Sequence, residues 1–264
     1  MRDGFADSVT TVAAMSARFE ELGWQQTPMG EISLRRRFDP AVRTDVFEVK
    51  LDEEFLMSSL FTVAERELTR LGLARTPGEQ LDVLVGGLGL GYTAQEALTE
   101  PRLRSVTVIE FCDAVIDWHR RRLLPDTAGL ADEQRVRLVC TDFFAAAASE
   151  AGFDPHQPGR RFDAILLDID HSPRHVLHRP HTAFYTPDGL RALRVHLVAG
   201  GTFAMWSDDA PDDEFLAAMD TVFTDTEARP VYFDNPLTRG RSSATIYLAS
   251  VPETSAAQAS SEGV

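Results

Sequence analysis

From Leu81 onward the chain alternates short apolar runs with amphipathic stretches, the pattern of strands followed by helices. Strands are expected at 81–85, 106–109, 136–140, 164–167 and 202–206. Helices are expected from about Thr93 and over 113–123, 143–150, 187–198 and 211–223. Thr186-Pro187-Asp188 opens the fourth of these with a capping hydroxyl and a proline at the first position. Two further strand-like runs, 230–233 and 243–249, follow without a helix between them. They flank a polar loop with Asn235-Pro236 and Arg239-Gly240-Arg241, and read as a terminal antiparallel hairpin. Repeats of this length predict an α/β fold with a mostly parallel seven-stranded sheet and helices on both faces.

Before Leu81 the pattern differs. Val12, Met15, Phe19 and Leu22 recur at helical spacing, which predicts a helix over 1–23. Residues 29–37 and 44–51 read as two strands around a turn at Asp39-Pro40. Helix returns over 58–73, and Thr76-Pro77-Gly78 closes it. Three parts follow: an N-terminal helix and β-hairpin cap over 1–78, the β–α domain over 79–251, and a tail over 252–264. The tail is rich in Ser, Ala and Glu and is expected to be disordered.

Composition narrows the class. With 44% apolar and 25% charged residues in 264, the chain has the make-up of a soluble globular protein. Its 26 basic residues face 41 acidic ones, a formal charge of −15. Such a surface repels nucleic acid and anionic membrane and suits a cationic small molecule. The clusters Arg35-Arg36-Arg37 and His119-Arg120-Arg121-Arg122 sit among acids and read as solvated faces. No apolar run is long enough for a membrane helix, and Arg2 is followed by Asp3 and Asp7 rather than a signal-peptide core. Two distant cysteines, Cys112 and Cys140, form neither a metal knuckle nor a disulfide framework, and fit a reducing cytoplasm.

The chemistry concentrates where strands end. The first strand of the β–α region delivers glycines at 86, 87, 89 and 91 just before a helix, where the backbone must turn sharply and let a ligand approach. A dinucleotide fingerprint counted from Gly87 would put its third glycine on Tyr92. The pattern here is G-x-G-x-G, common where the ligand is an adenosyl sulfonium with no pyrophosphate to cradle. Glu110, 19 residues beyond Gly91, ends the second strand and can accept both ribose hydroxyls. Asp142 follows the third strand and can accept from the adenine amino group, with Phe143 or Phe111 stacking on the ring. Singly, the glycines could only shape a turn and the acids only cap helices. Together, in order along one sheet edge, they make a nucleoside site.

With these residues in hand, the chain resembles the spermidine synthase family, within the Rossmann-like class I S-adenosylmethionine methyltransferase fold. The resemblance runs from the N-terminal hairpin to about residue 250. It rests on Val-Gly-Gly-Leu-Gly at 85–89, Val-Ile-Glu-Phe-Cys-Asp-Ala-Val-Ile at 108–116, Phe-Asp-Ala-Ile-Leu-Leu-Asp at 162–168 and Ala-Phe-Tyr at 183–185. It implies S-adenosylmethionine or its decarboxylated form as cofactor, a homodimer, and a role for Asp168 in deprotonating or positioning an attacking amine.

The chain also departs from that family. Gly89 stands where the family carries an aspartate for the cofactor's terminal amine. Val63 replaces a tyrosine two residues before the acid matching Glu65. The D-x-x-D motif becomes Asp168-Ile169-Asp170-His171, its second acid displaced by one position. Altered chemistry is therefore expected, with methyl as the group moved to an amine-bearing acceptor. Aminopropyl and aminocarboxypropyl transfer, or nucleoside binding without turnover, stay open.

Asp168 and Asp170 are the expected catalytic carboxylates, attracting a cationic amine and accepting its proton. Tyr185 is expected to hydrogen-bond the substrate, although an aromatic before a helix also packs as a staple. Trp206 either lines the pocket or packs in the core, and Leu56-Met57-Ser58-Ser59 either closes over the ligand or belongs to the core. His171, His175, His178 and His181 match no established ligand spacing, and no metal is assigned.

Overall fold

The computed structural model describes residues 19–253. Eleven strands form two sheets. The larger is built from β5 (Leu81–Gly86), β6 (Leu103–Glu110), β7 (Val136–Cys140), β8 (Phe162–Leu167), β9 (Leu197–Ser207), β10 (Thr224–Asn235) and β11 (Gly240–Ser250), in the order β10-β11-β9-β8-β5-β6-β7. The β7-β6-β5-β8-β9 block is parallel, and β11 runs antiparallel to both β9 and β10. This is the expected mostly parallel seven-stranded sheet with its C-terminal hairpin.

Burial on both faces explains the continuous apolar runs. Along β5 every residue is buried, yet Val83 and Val85 pack into one core while Leu84 packs into the other. Along β8, Ala164 and Leu166 join the first core, Ile165 and Leu167 the second. One core lies beneath helix α1 (Val63–Arg75), α2 (Tyr92–Ala97) and α3 (Asp113–Arg120). The other lies beneath α4 (Phe143–Ala147), α5 (Pro187–Arg194) and α6 (Asp213–Asp220).

The N-terminal region corrects the sequence reading. Instead of a helix continuing to residue 23, residues 19–27 form β1 (Phe19–Thr27); residues 1–18 lie outside the described part. Instead of a two-stranded hairpin, the cap is a four-stranded antiparallel sheet in the order β1-β2-β3-β4, with β2 (Gly30–Asp39), β3 (Thr44–Leu51) and β4 (Glu54–Ser58). Pairing with β2 recruits β1: Glu20 and Glu21 sit opposite Arg36 and Arg35, and Arg36 donates to Glu20 at 2.6 Å. The expected turn at Asp39-Pro40 is present, closed by Arg43 N–H donating to the Asp39 carbonyl at 2.8 Å.

Helix ends also shift. The helix expected over 58–73 starts at Val63, because residues 54–58 pair with β3. It ends at Arg75, where Thr76, preceding Pro77, is extended (ψ 122°). The helix expected over 187–198 stops at Arg194, because Leu197 pairs in parallel with Phe162 and starts β9. Those expected over 143–150 and 211–223 shorten to α4 and α6. The tail expected from 252 lies, beyond residue 253, outside the described part. No described helix is long and apolar enough to cross a membrane.

Candidate functional site

The glycine loop leaves β5 and enters α2 beneath the N-terminal sheet. Gly87 adopts φ +94°, and a Cβ there would lie 2.0 Å from the Asp168 carbonyl oxygen. At Gly89 (φ +47°) a Cβ would lie 2.6 Å from the Met57 sulfur. At Gly87 the neighbour is backbone, which holds the loop against the end of β8; at Gly89 it is the flexible end of the Met57 side chain on β4, and the left-handed φ is what favours glycine.

Two adjoining cavities open along the carboxyl ends of the parallel strands, where such sheets place ligands. One, of ≈ 290 Å³, contains Glu110, Phe111, Asp142 and Phe143, and is roofed by Met29, Ile32, Val49 and Leu51 of the cap. The other, of ≈ 340 Å³, contains Glu65, Tyr92, His171, Trp206, Asp208 and Phe233. Leu56, Met57, Gly89, Asp168, Ile169 and Leu177 line both, so Asp168 stands at the junction.

In the first cavity Glu110 accepts from Cys112 N–H at 2.7 Å with one oxygen and from Leu88 N–H at 3.0 Å with the other. These bonds fix the carboxylate's plane at the end of β6. Burial pushes its carboxyl above the usual range, and the backbone donors pull it back. Asp142 caps α4, its Oδ1 accepting from Phe144 and Ala145 N–H at 2.8 and 3.1 Å. That leaves Oδ2 outside the cap. Phe143 is buried against Gly86, and Phe111 is 42% exposed at the rim. Phe144, which the sequence did not single out, stacks on His181 with centroids 3.8 Å apart.

At the junction, Thr93 donates to Asp168 Oδ2 at 2.5 Å. Burial raises the Asp168 carboxyl to about 6, against the lowering pull of that hydroxyl. Glu65 from α1 lines the same cavity; burial, then the charge of Asp168, raises its carboxyl to about 8. The two carboxyls titrate as a pair, both raised by burial, and the hydroxyl donated by Thr93 favours the charge on Asp168.

Asp170 and Tyr185 are placed elsewhere. Asp170 lines neither cavity; it is buried and accepts from Leu177 N–H at 2.8 Å, the His181 ring at 3.0 Å and the Tyr185 hydroxyl at 2.8 Å. The two residues pin the 170–185 segment to itself, in an interior network rather than on the lining of either cavity. The histidines of this segment point to different partners: His171 faces Glu54 at 3.4 Å, His175 pairs with Asp209 at 3.0 Å, and His178 and His181 line the first cavity. Among the described residues no three or more His, Cys, Asp or Glu side chains are grouped to hold a metal ion.

Glu65 and Thr93 are functional candidates that reading of single residues missed. A glutamate in a helix's first turn looks like an ordinary dipole partner, and only the resemblance marked an acid there.

No family model matches the chain. A stretch of 111 residues, 42% of the chain, is 32% identical to a polyamine aminopropyltransferase of Mycobacterium tuberculosis, of which it covers 20%. A stretch of 102 residues, 38% of the chain, is 30% identical to putrescine N-methyltransferase 1 of Nicotiana tabacum, of which it covers 24%. The chain thus matches about a quarter or less of these relatives' length. The crystal structure of spermidine synthase from Thermotoga maritima superposes with a TM-score of 0.65 at 18% identity, over 87% of this chain and 72% of that one. Human methyltransferase-like protein 13 in complex with SAH superposes with a TM-score of 0.54 at 19% identity, over 71% of this chain and 82% of that one. The fold is the Rossmann-like one of class I methyltransferases and spermidine synthases.

Proposed function

We propose that this chain is an S-adenosylmethionine-dependent transferase that moves a methyl group from the sulfonium to a small amine. One observation carries the reading. Among the described residues, the joined cavities are lined by five acids, Glu65, Asp168, Asp208, Glu110 and Asp142, and by no Lys or Arg. Such a cleft favours cations, and both a sulfonium and an ammonium are cations. The names of the relatives, an aminopropyltransferase and an N-methyltransferase of amines, agree with it.

The residues fit an adenosyl group: Glu110 is held in a fixed plane by backbone donors, Asp142 keeps one oxygen outside its cap, and Gly89 takes the left-handed turn that brings the loop backbone to the cleft. Glu110 would take the ribose hydroxyls and Asp142 the adenine amino group. The sulfonium supplies an electrophilic carbon. The protein's own part is positioning and exclusion of water, with the cap and Met57 closing the cleft. Asp168, at the junction, accepts the proton that the acceptor nitrogen sheds as its lone pair forms the new N–C bond and the C–S bond breaks. With its carboxyl near 6, it is ionised at neutral pH and ready to do so.

Aminopropyl transfer from the decarboxylated cofactor is the second reading. The absence of any Lys or Arg along the lining favours a cofactor without a carboxylate. Against it, Gly89 offers no side chain to hold the chain's terminal amine. Mass spectrometry of products, with each cofactor form offered separately to a pool of amines, decides between them. Adenosylhomocysteine supports methyl transfer; methylthioadenosine from the decarboxylated form supports aminopropyl transfer. Neither product above the spontaneous background refutes both. A homodimer in the cytoplasm completes the proposal, and sedimentation of the purified chain tests the dimer.

A further inference from the structure

Resting on the transferase reading above, a further inference concerns how the protein chooses between the two carboxyls of the cleft, Glu65 and Asp168. Thr93 is 2% exposed, and its hydroxyl donates to Asp168 Oδ2 at 2.5 Å. Its carbonyl accepts from the Thr69 hydroxyl at 3.0 Å. Thr69 lies one turn beyond Glu65 on α1, so the helix that carries the competing carboxyl also anchors the hydroxyl donor in the first turn of α2.

We propose that Thr93 is a positioning residue: it fixes the Asp168 carboxylate, leaves its other oxygen for the acceptor, and keeps the site's negative charge on Asp168 rather than Glu65. A carboxylate gains from a donated hydrogen bond and its protonated form gains less, so the donor decides which neighbour keeps the proton. Of the other groups around the pair, the Arg66 charge pulls the opposite way, toward an ionised Glu65. Arg66, next to Glu65, is held by Glu96 at 2.9 Å, and the Tyr92 hydroxyl donates to Asp126 at 2.8 Å. His171 and Asp208 line the acceptor half; Glu110, Asp142, His178 and His181 line the nucleoside half. Among the described residues, Thr93 is the only side chain that hydrogen-bonds the Asp168 carboxyl.

The test is a carbon-13 NMR titration of the aspartate carboxyls in the free protein, with the Asp168 signal assigned by Asp168→Asn. Thr93→Val should raise the Asp168 midpoint by about one pH unit, a tenfold change in proton affinity, and Thr93→Ser should restore it. Thr93→Ala gives the same readout if valine does not fit the buried site. The acid limb of kcat/KM should move with the midpoint while cofactor affinity stays within about threefold. A midpoint unmoved by loss of the hydroxyl, or not restored by serine, overturns the proposal. If the wild-type chain transfers nothing, the transferase reading fails by itself, and the titration still decides the role of Thr93.

Discussion

Replacing Glu65 by Gln should stabilise the protein at alkaline pH and hardly affect it at acid pH. Burial, and then the facing charge of Asp168, moves the Glu65 carboxyl from 4.5 to about 8. In the unfolded chain the same carboxyl titrates near its ordinary value, so the folded state binds the proton more tightly. The associated stability is present in full below about pH 4.5, falls as pH rises, and is gone above about 8. Glutamine mimics the protonated acid and escapes that loss. The ceiling on the gain at pH 9 is about 5 kcal/mol. Glu65 is only partly buried and faces an open cavity, where water shares the charge, so about 2 kcal/mol is the working expectation. For a chain of this size that corresponds to about 4–8 °C in Tm. Thermal unfolding followed by circular dichroism at pH 5 and pH 9 measures it. Asp168→Asn, which removes the facing charge, should shrink the alkaline loss in the same way. An equal Tm change for Glu65→Gln at both pH values, or a less stable variant at pH 9, would refute the reasoning.

Gly87→Ala should cost at least about 2 kcal/mol in denaturant titration, because its Cβ would meet the Asp168 carbonyl oxygen at 2.0 Å with φ +94° and neither backbone can yield. Glu110→Ala should weaken adenosyl cofactor binding by about ten- to a hundredfold in calorimetry, since it removes a charged acceptor and strands the Leu88 and Cys112 N–H groups. A loss below threefold would move the ribose contact elsewhere. Tyr185→Phe should lower stability by about 1–2 kcal/mol, by removing one of three donors to buried Asp170, while kcat/KM stays within about threefold. A large loss of turnover at unchanged stability would instead return Tyr185 to the reacting centre.

The parallel sheet was legible because its central strands are apolar runs whose two faces are both covered, as Leu81–Val85 and Ala164–Leu167 illustrate. The N-terminal strand was not. Phe19 is 51% exposed and Trp24 60% exposed, so neither reports a buried face. What makes residues 19–27 a strand is the partner beside them, glutamates opposite the arginines of β2, and a helical count along one segment contains nothing about a segment 16 residues away. Helix ends moved for the same reason: Leu197 continues the apolar pattern of α5 but finds its hydrogen bonds in the sheet.

Asp168 and Asp170 pose the harder case, because they share a residue type and a strand end, and spacing alone treats them alike. The chain turns between them. Asp168 N–H donates to the Gly86 carbonyl at 2.7 Å, which ties the first acid to the glycine loop and leaves its carboxyl at the junction of both cavities. Two residues later the backbone has left that edge, and Asp170 meets Leu177, His181 and Tyr185, all supplied by a segment with no regular pattern. A buried carboxylate with three donors is satisfied, and has little reason to take a proton from a ligand. One with a single hydroxyl donor is not: burial raises the Asp168 carboxyl against that one donor, which suits it to the base role proposed above. The distinction between the two aspartates therefore lives in what their neighbours donate, which is fixed by tertiary contacts with Thr93 and with the 177–185 segment rather than by the motif that contains them both.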